Sequence, residues 1–313
     1  DRRCGLASPP RRMSGERALR RVADLHAASL QLRPDPHYLD HPRSDRSLRR
    51  EQREAVVTFN TEVAEDFGLN SQTAALAINY FDRYCSALVA DELPIPRERV
   101  QLISMTCLML ASKFFDRQTP SIDDMTKIAQ HAYAPEEFRA QELEILGRLK
   151  WLLHVPLPHT FLAMLLRIAD VSEAPVGTKG PTTTNMTKWG CILIDLSGFE
   201  YDFLKYPPLV IAYSALLCSA RFEEIKSEHI LAAKLEVLRR RCRIEHATIV
   251  ECAKAIMAYY ELCFPDSPKA EKAGFMPVQP DEREVGDRSD TTTPTSIMAP
   301  NTAFAPQPAP SLG

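Results

Sequence analysis

The sequence predicts an all-α protein, two tandem five-helix units between disordered N- and C-terminal flanks. Three observations carry that expectation. The chain has 24 Pro against 11 Gly in 313 residues, and so few glycines argue against a turn-rich all-β fold and against phosphate-cradling glycine loops. Between 51 and 264 the apolar residues recur at helical spacing with short breaks. The prolines and charges also segregate. Residues 1–50 carry twelve Arg, no Lys and six acids, a balance of +6, while 265–313 hold nine of the prolines and a balance of −3. Both flanks have too little apolar surface to offset the entropy of ordering them. Within the first, Leu19, Val22, Ala23 and Leu30 lie on one helical stripe, so Arg17–Leu30 is a candidate docking helix.

The first unit, 51–155, reads as five helices. The apolar positions Val56, Val57, Phe59, Val63 and Phe67 mark one. Asn70 or Ser71 caps the next, which carries Leu76, Ala77, Tyr80, Phe81 and Tyr84. Pro94 and Pro96 break the chain, and Val100–Phe115 is apolar on nearly all sides, as expected of a helix at the centre of a bundle. Ser121 with Asp124 has capping-box spacing. Pro135 followed by Glu136 and Glu137 starts the fifth helix, and Arg148 and Lys150 suit its far end. The second unit, 156–264, reads as helices near 158–170, 185–197, 207–223, 227–239 and 246–263, with one long gap at 171–184.

Several function classes are disfavoured. The chain lacks GxSxG, HExxH, P-loop and GxGxxG patterns, and its histidines are scattered, so it is not expected to be an enzyme or to use a cofactor. The eight cysteines form no CxxC pair, so no metal site is expected and buried thiols in a reducing compartment are the better reading. No stretch approaches the roughly 20 apolar residues that span a bilayer, and neither a membrane nor a small-molecule substrate is expected. No leader-like segment opens the chain, which begins at Asp1 rather than Met and so leaves room for a missing N-terminal segment.

Four charged residues sit on apolar faces, where an unpaired charge is costly. Glu142 lies in the stripe formed by Phe138, Ile145, Leu146 and Leu149, and Lys113 follows Met109 and Leu110 at helical spacing. Either the two pair with each other or they mark a surface that receives another protein. Arg53 and Asp82 are placed alike and are read as a structural salt bridge rather than as catalytic groups.

These residues also carry a resemblance. Arg53-Glu54-Ala55-Val56, Leu76 through Tyr84, Leu108-Met109-Leu110-Ala111-Ser112-Lys113-Phe114 and Glu142 through Leu146 with Leu149-Lys150-Trp151 are together similar to a cyclin box. Its five hallmark positions match Arg53, Asp82, Leu102, Lys113 and Glu142. Leu193–Tyr213 more weakly resembles the second cyclin fold. Within the family the first box is most similar to plant-like D-type cyclins. The resemblance implies two tandem cyclin folds and a non-catalytic activator of a cyclin-dependent kinase, acting in the G1/S part of the cell cycle and present in nucleus and cytoplasm. It implies that Lys113 and Glu142 hold the kinase's regulatory helix while Phe114 and Ile145 supply apolar contact.

The sequence departs from the pattern in places. The positions of the family's substrate-docking patch are Gln52, Val56 and Phe59, one of them polar, so docking of substrates and inhibitors is in question. The LxCxE sequence with which many D-type cyclins bind retinoblastoma-type proteins is absent from the chain. Phe115-Asp116-Arg117 replaces the common acidic pair. Thr293, before Pro294, is a candidate Pro-directed phosphosite. Two alternatives keep the fold and change the role: a transcriptional cyclin, or a nucleic-acid-binding transcription factor of the same fold. The second needs a basic face, for which Arg239, Arg240, Arg241 and Arg243 are the candidate, but the net charge of −6 over 51–264 opposes it.

Overall fold

The helix with the most evenly apolar sequence is the one the others wrap. In the computed structural model, which describes residues 15–40, 48–169, 183–223 and 228–267 (backbone only at 183 and 228–234), that helix is Val100–Phe115, and every residue from Leu102 to Ser112 is buried. We label the helices in chain order: α1 (Gly15–Gln31), α2 (Arg50–Asp66), α3 (Ser71–Ala90), α4 (Val100–Phe115), α5 (Ile122–Ile128), α6 (Pro135–Arg148), α7 (Pro158–Ile168), α8 (Thr183–Phe199), α9 (Pro208–Phe222), α10 (Glu228–Arg241) and α11 (His246–Cys263). Short 3₁₀ turns at Arg97–Arg99 and Tyr201–Lys205 complete the set. No strand occurs among the described residues. They all lie within one compact body, Asp1–Gly274.

The two five-helix series are built alike. Helices α2, α3 and α6 pack on α4, and α7, α8, α10 and α11 pack on α9. The second centre is apolar for the same reason as the first: from Leu209 to Phe222 nearly every side chain of α9 is buried. Local chemistry fixes the ends of the helices. Asn70 caps α3 by accepting from the Gln72 N–H at 2.9 Å. Ser121 and Asp124 form the expected reciprocal box on α5, with the Ser121 N–H donating to Asp124 Oδ2 at 2.9 Å and the Asp124 N–H to Ser121 Oγ at 3.1 Å. Pro135, Pro158 and Pro208 open α6, α7 and α9, where a missing N–H costs nothing.

The N-terminal segment corrects one expectation. The expectation for 1–50 is a flexible segment with a docking helix over Arg17–Leu30; the helix is present as α1, and beyond it the chain continues as a packed strap to residue 40. Helix α1 lays Val22, His26 and Ser29 against α7, α9 and α10. The strap after it inserts Tyr38 into the core of the first unit, fully buried. A few well-placed apolar anchors thus hold an arginine-rich stretch that composition alone assigns to solvent. Residues 1–14 lie outside the described residues, as do 170–182 and Thr293.

Candidate protein-binding site

Lys113 ends the central helix α4 and Glu142 sits midway along α6, which packs on α4. Their side chains meet in an ion pair between Lys113 Nζ and Glu142 Oε1. The lysine side chain is 47% exposed and the carboxylate 23% exposed, so the pair lies at the rim of the stripe rather than inside it. A pair this open contributes about 0–1 kcal/mol to folding. Its two charges remain available to a partner that displaces one for the other.

The surroundings of the pair differ from the sequence expectation in one respect. Phe114 is exposed as expected, at 48%. Ile145 is not: it is fully buried in the core, on the face of α6 that carries Phe138 and Leu149. It therefore cannot provide contact area to a kinase. The residues that do present apolar surface from the same elements are Phe115, Leu143, Trp151 and Leu152. The sequence held a signal for Leu143, which lies off the apolar stripe of its helix. Trp151 could not be found that way, because its exposure is conformational. Lys150 and Trp151 both have positive φ, 53° and 58°, a strained region for side chains larger than glycine. The strain is held by hydrogen bonds from Tyr80 OH to Leu153 O at 2.6 Å and from Arg83 Nη1 to Leu152 O at 2.9 Å.

Asp116, part of the departure from the family pattern, has a structural role. Its carboxylate accepts from the Asn70 N–H at 2.7 Å and the Thr73 hydroxyl at 2.6 Å. It thereby ties the end of α4, with Lys113 and Phe114, to the positive end of α3.

Arg53 and Asp82 form the expected structural pair. Both are about 1% exposed, and the contact is bidentate, Nε to Oδ1 and Nη2 to Oδ2, each at 2.9 Å. Burial alone would lower the pKa of the guanidinium, but the adjacent carboxylate outweighs it and raises it. Sequence reasoning missed the rest of this cluster. Tyr38 OH donates to Asp82 Oδ1 at 2.8 Å, and Arg53 Nη1 donates to the carbonyls of Gly198 and Phe199, which end α8, at 3.2 and 3.1 Å. The pair is thus the junction of the first unit, the N-terminal strap and the second unit. Tyr201 closes it, packing edge-on against Tyr38 at 5.5 Å and accepting from the Leu39 N–H at 3.0 Å. Leu102 is fully buried beneath, in the core.

The three docking-patch positions do not form one exposed apolar surface. Val56 is buried in the core and Phe59 packs half-buried against it. The Gln52 side chain accepts from the Arg49 N–H at 3.0 Å and so caps the start of α2.

Comparison with known proteins decides the family. The model of the N-terminal cyclin domain matches residues 21–154 and that of the C-terminal cyclin domain residues 156–273. The chain belongs to the cyclin family. This cyclin is 30% identical over 192 residues to cyclin-A1-2 of Arabidopsis thaliana, covering 61% of this chain and 40% of that one. It is 30% identical over 186 residues to the G2/mitotic-specific cyclin-B3 of Gallus gallus, covering 59% and 42%. It therefore spans about two-fifths of the length of these relatives. Among solved structures, a viral cyclin from herpesvirus saimiri superposes with a TM-score of 0.51 at 17% identity, covering 68% of this chain and 89% of that one. The CAK complex from Chaetomium thermophilum bound to ATP-γ-S gives 0.50 at 15%, covering 83% and 81%. These two likenesses concern the fold.

Proposed function

We propose that this cyclin is a non-catalytic regulatory subunit that binds and activates a cyclin-dependent protein kinase, with the Lys113–Glu142 pair as its polar anchor. The observation that carries the proposal is the pair itself: two charges at the hallmark positions, the lysine exposed and the carboxylate partly so, bound only to each other among the described residues, beside the exposed ring of Phe114. A kinase helix offers donors and carbonyls that can replace the internal pairing, and Phe114 adds apolar area. Binding there favours the kinase conformation in which its catalytic Lys–Glu pair is formed.

The finer reading is a D-type, G1/S role, supported by Arg53-Glu54-Ala55-Val56 and Leu149-Lys150-Trp151. The relatives named above are A- and B-type cyclins, which supports a cell-cycle role and leaves the phase to be measured as protein abundance through a synchronised cycle. Residence in both nucleus and cytoplasm belongs to the same proposal, as does docking of substrates and inhibitors, but Gln52, Val56 and Phe59 offer no exposed apolar patch for it.

Affinity capture from dividing cells followed by a kinase assay tests the core of it. The wild-type chain is expected to retain a cyclin-dependent kinase and stimulate it. Lys113→Ala with Glu142→Ala is expected to lose most of both, since truncating an anchor at the centre of an interface costs about 2 kcal/mol or more. A double variant that captures and activates as well as wild type defeats the proposed interface.

A further inference from the structure

The fold brings together two arginine groups that lie far apart in sequence. Helix α1 carries Arg17, Arg20 and Arg21, all exposed. The last turn of α10 carries Arg239, Arg240 and Arg241, followed by the exposed Arg243. The two helices pack together, and Arg241 Nη2 meets Glu16 Oε1 at 2.8 Å.

The seven arginines outnumber the acids of the same segments, of which Glu16 and Glu236 are committed to arginines while Asp24 and Glu245 are also exposed. Glu16 is shared between Arg241 and Arg20, the latter at 3.1 Å. Glu236 is shared between Arg239 and Arg240, each at 2.7 Å. Each carboxylate holds two guanidinium groups in place and leaves a net positive charge. Arg239 and Arg240 hold Glu236 down to a pKa of about 2, and Arg241 and Arg20 lower that of Glu16, so both acids stay ionised and keep their arginines in place. Arg17, Arg21 and Arg243 have no carboxylate partner among the described residues.

Arg243 adds an independent observation. Its φ is 54°, at the position after a helix end where glycine is the usual residue. The turn is held by the Ile244 N–H on Arg239 O at 3.1 Å and by Arg239 Nη1 on Ile244 O at 2.6 Å. The turn fixes the backbone at the end of α10, where Arg243 carries an exposed charge.

From this arrangement we infer that the α1–α10 corner is a docking surface for an acidic, Asp/Glu-rich peptide segment of a partner protein. Guanidinium forks bind carboxylates bidentately, and the charges spread over two helices suit an extended polyanion rather than a single ion. Neither helix contains Phe, Tyr or Trp, so stacking on unpaired bases has no platform. The net charge of −3 on the chain opposes long-range attraction of duplex DNA. The inference does not depend on the kinase reading.

The test is fluorescence anisotropy with the full chain and a labelled peptide of alternating Glu and Ser at physiological salt. Saturable binding is expected, weakening as salt rises. Arg17→Gln, Arg21→Gln and Arg243→Gln together, which spare both shared carboxylates and so the fold, are expected to weaken it about tenfold, the combined worth of three exposed charge contacts. Arg99→Gln with Arg117→Gln, remote charges on the first unit, are expected to leave it unchanged. The inference is overturned if the peptide does not bind, if both variants weaken binding alike, or if a DNA duplex binds the same corner more tightly than the peptide.

Discussion

Arg53 shows how far a single residue's setting can be read from its neighbours in the chain. A charge inside an apolar stripe must be paired, and Asp82 was the available partner, so the salt bridge was legible. Its other contacts were not, because Tyr38 and the α8 carbonyls come from segments whose approach no local pattern encodes. The energetics follow from burial. Removing one member of a buried pair strands the other charge, so Asp82→Ala is expected to lower unfolding stability by about 3–5 kcal/mol in chemical denaturation. Lys113→Ala should change it by less than about 1 kcal/mol, since that pair is open to water. The contrast separates a structural pair from a binding pair without any partner present. Asp116→Ala removes two hydrogen bonds from the start of α3, one of them from a backbone N–H, and is expected to cost about 1–2 kcal/mol in the same assay.

Helices were the most legible level. Val100–Phe115 was recognisable as a central helix because it is apolar on every side, and Ser121, Pro135 and Pro158 marked helix starts through chemistry that acts within one turn. Partner surfaces were less legible. Ile145 and Leu143 are two residues apart and both apolar, yet one is in the core and the other outside. The difference is a rotation of about 200° around α6, which the stripe encodes only when read as the inner face. The burial of α4 predicts a large penalty for truncation at its middle. Leu108→Ala, at a site with no exposure, is expected to cost about 2–5 kcal/mol, read from the shift in denaturation midpoint at constant m-value.

For the molecule as a whole, two similar helical units meet through a small polar and aromatic junction rather than a broad apolar seam. Tyr201, from the second unit, belongs to the core of the first. Tyr201→Ala is expected to cost about 3–5 kcal/mol and to split one calorimetric transition into two; a single unshifted transition would show that the units are coupled elsewhere. This junction fixes the strap at Tyr38 and Leu39, while α1 is held by its packing on α7, α9 and α10. The same architecture leaves the Lys113–Glu142 pair on the outer rim of the first unit, facing solvent, and the central claim is that a cyclin-dependent kinase covers it. Hydrogen exchange of the full chain, with and without purified kinase, tests that claim most directly. The account predicts slowed exchange at the end of α4 around Lys113 and Phe114 and along α6 around Glu142, with α10 unchanged. Unchanged exchange at both of those segments in a saturated complex would contradict it.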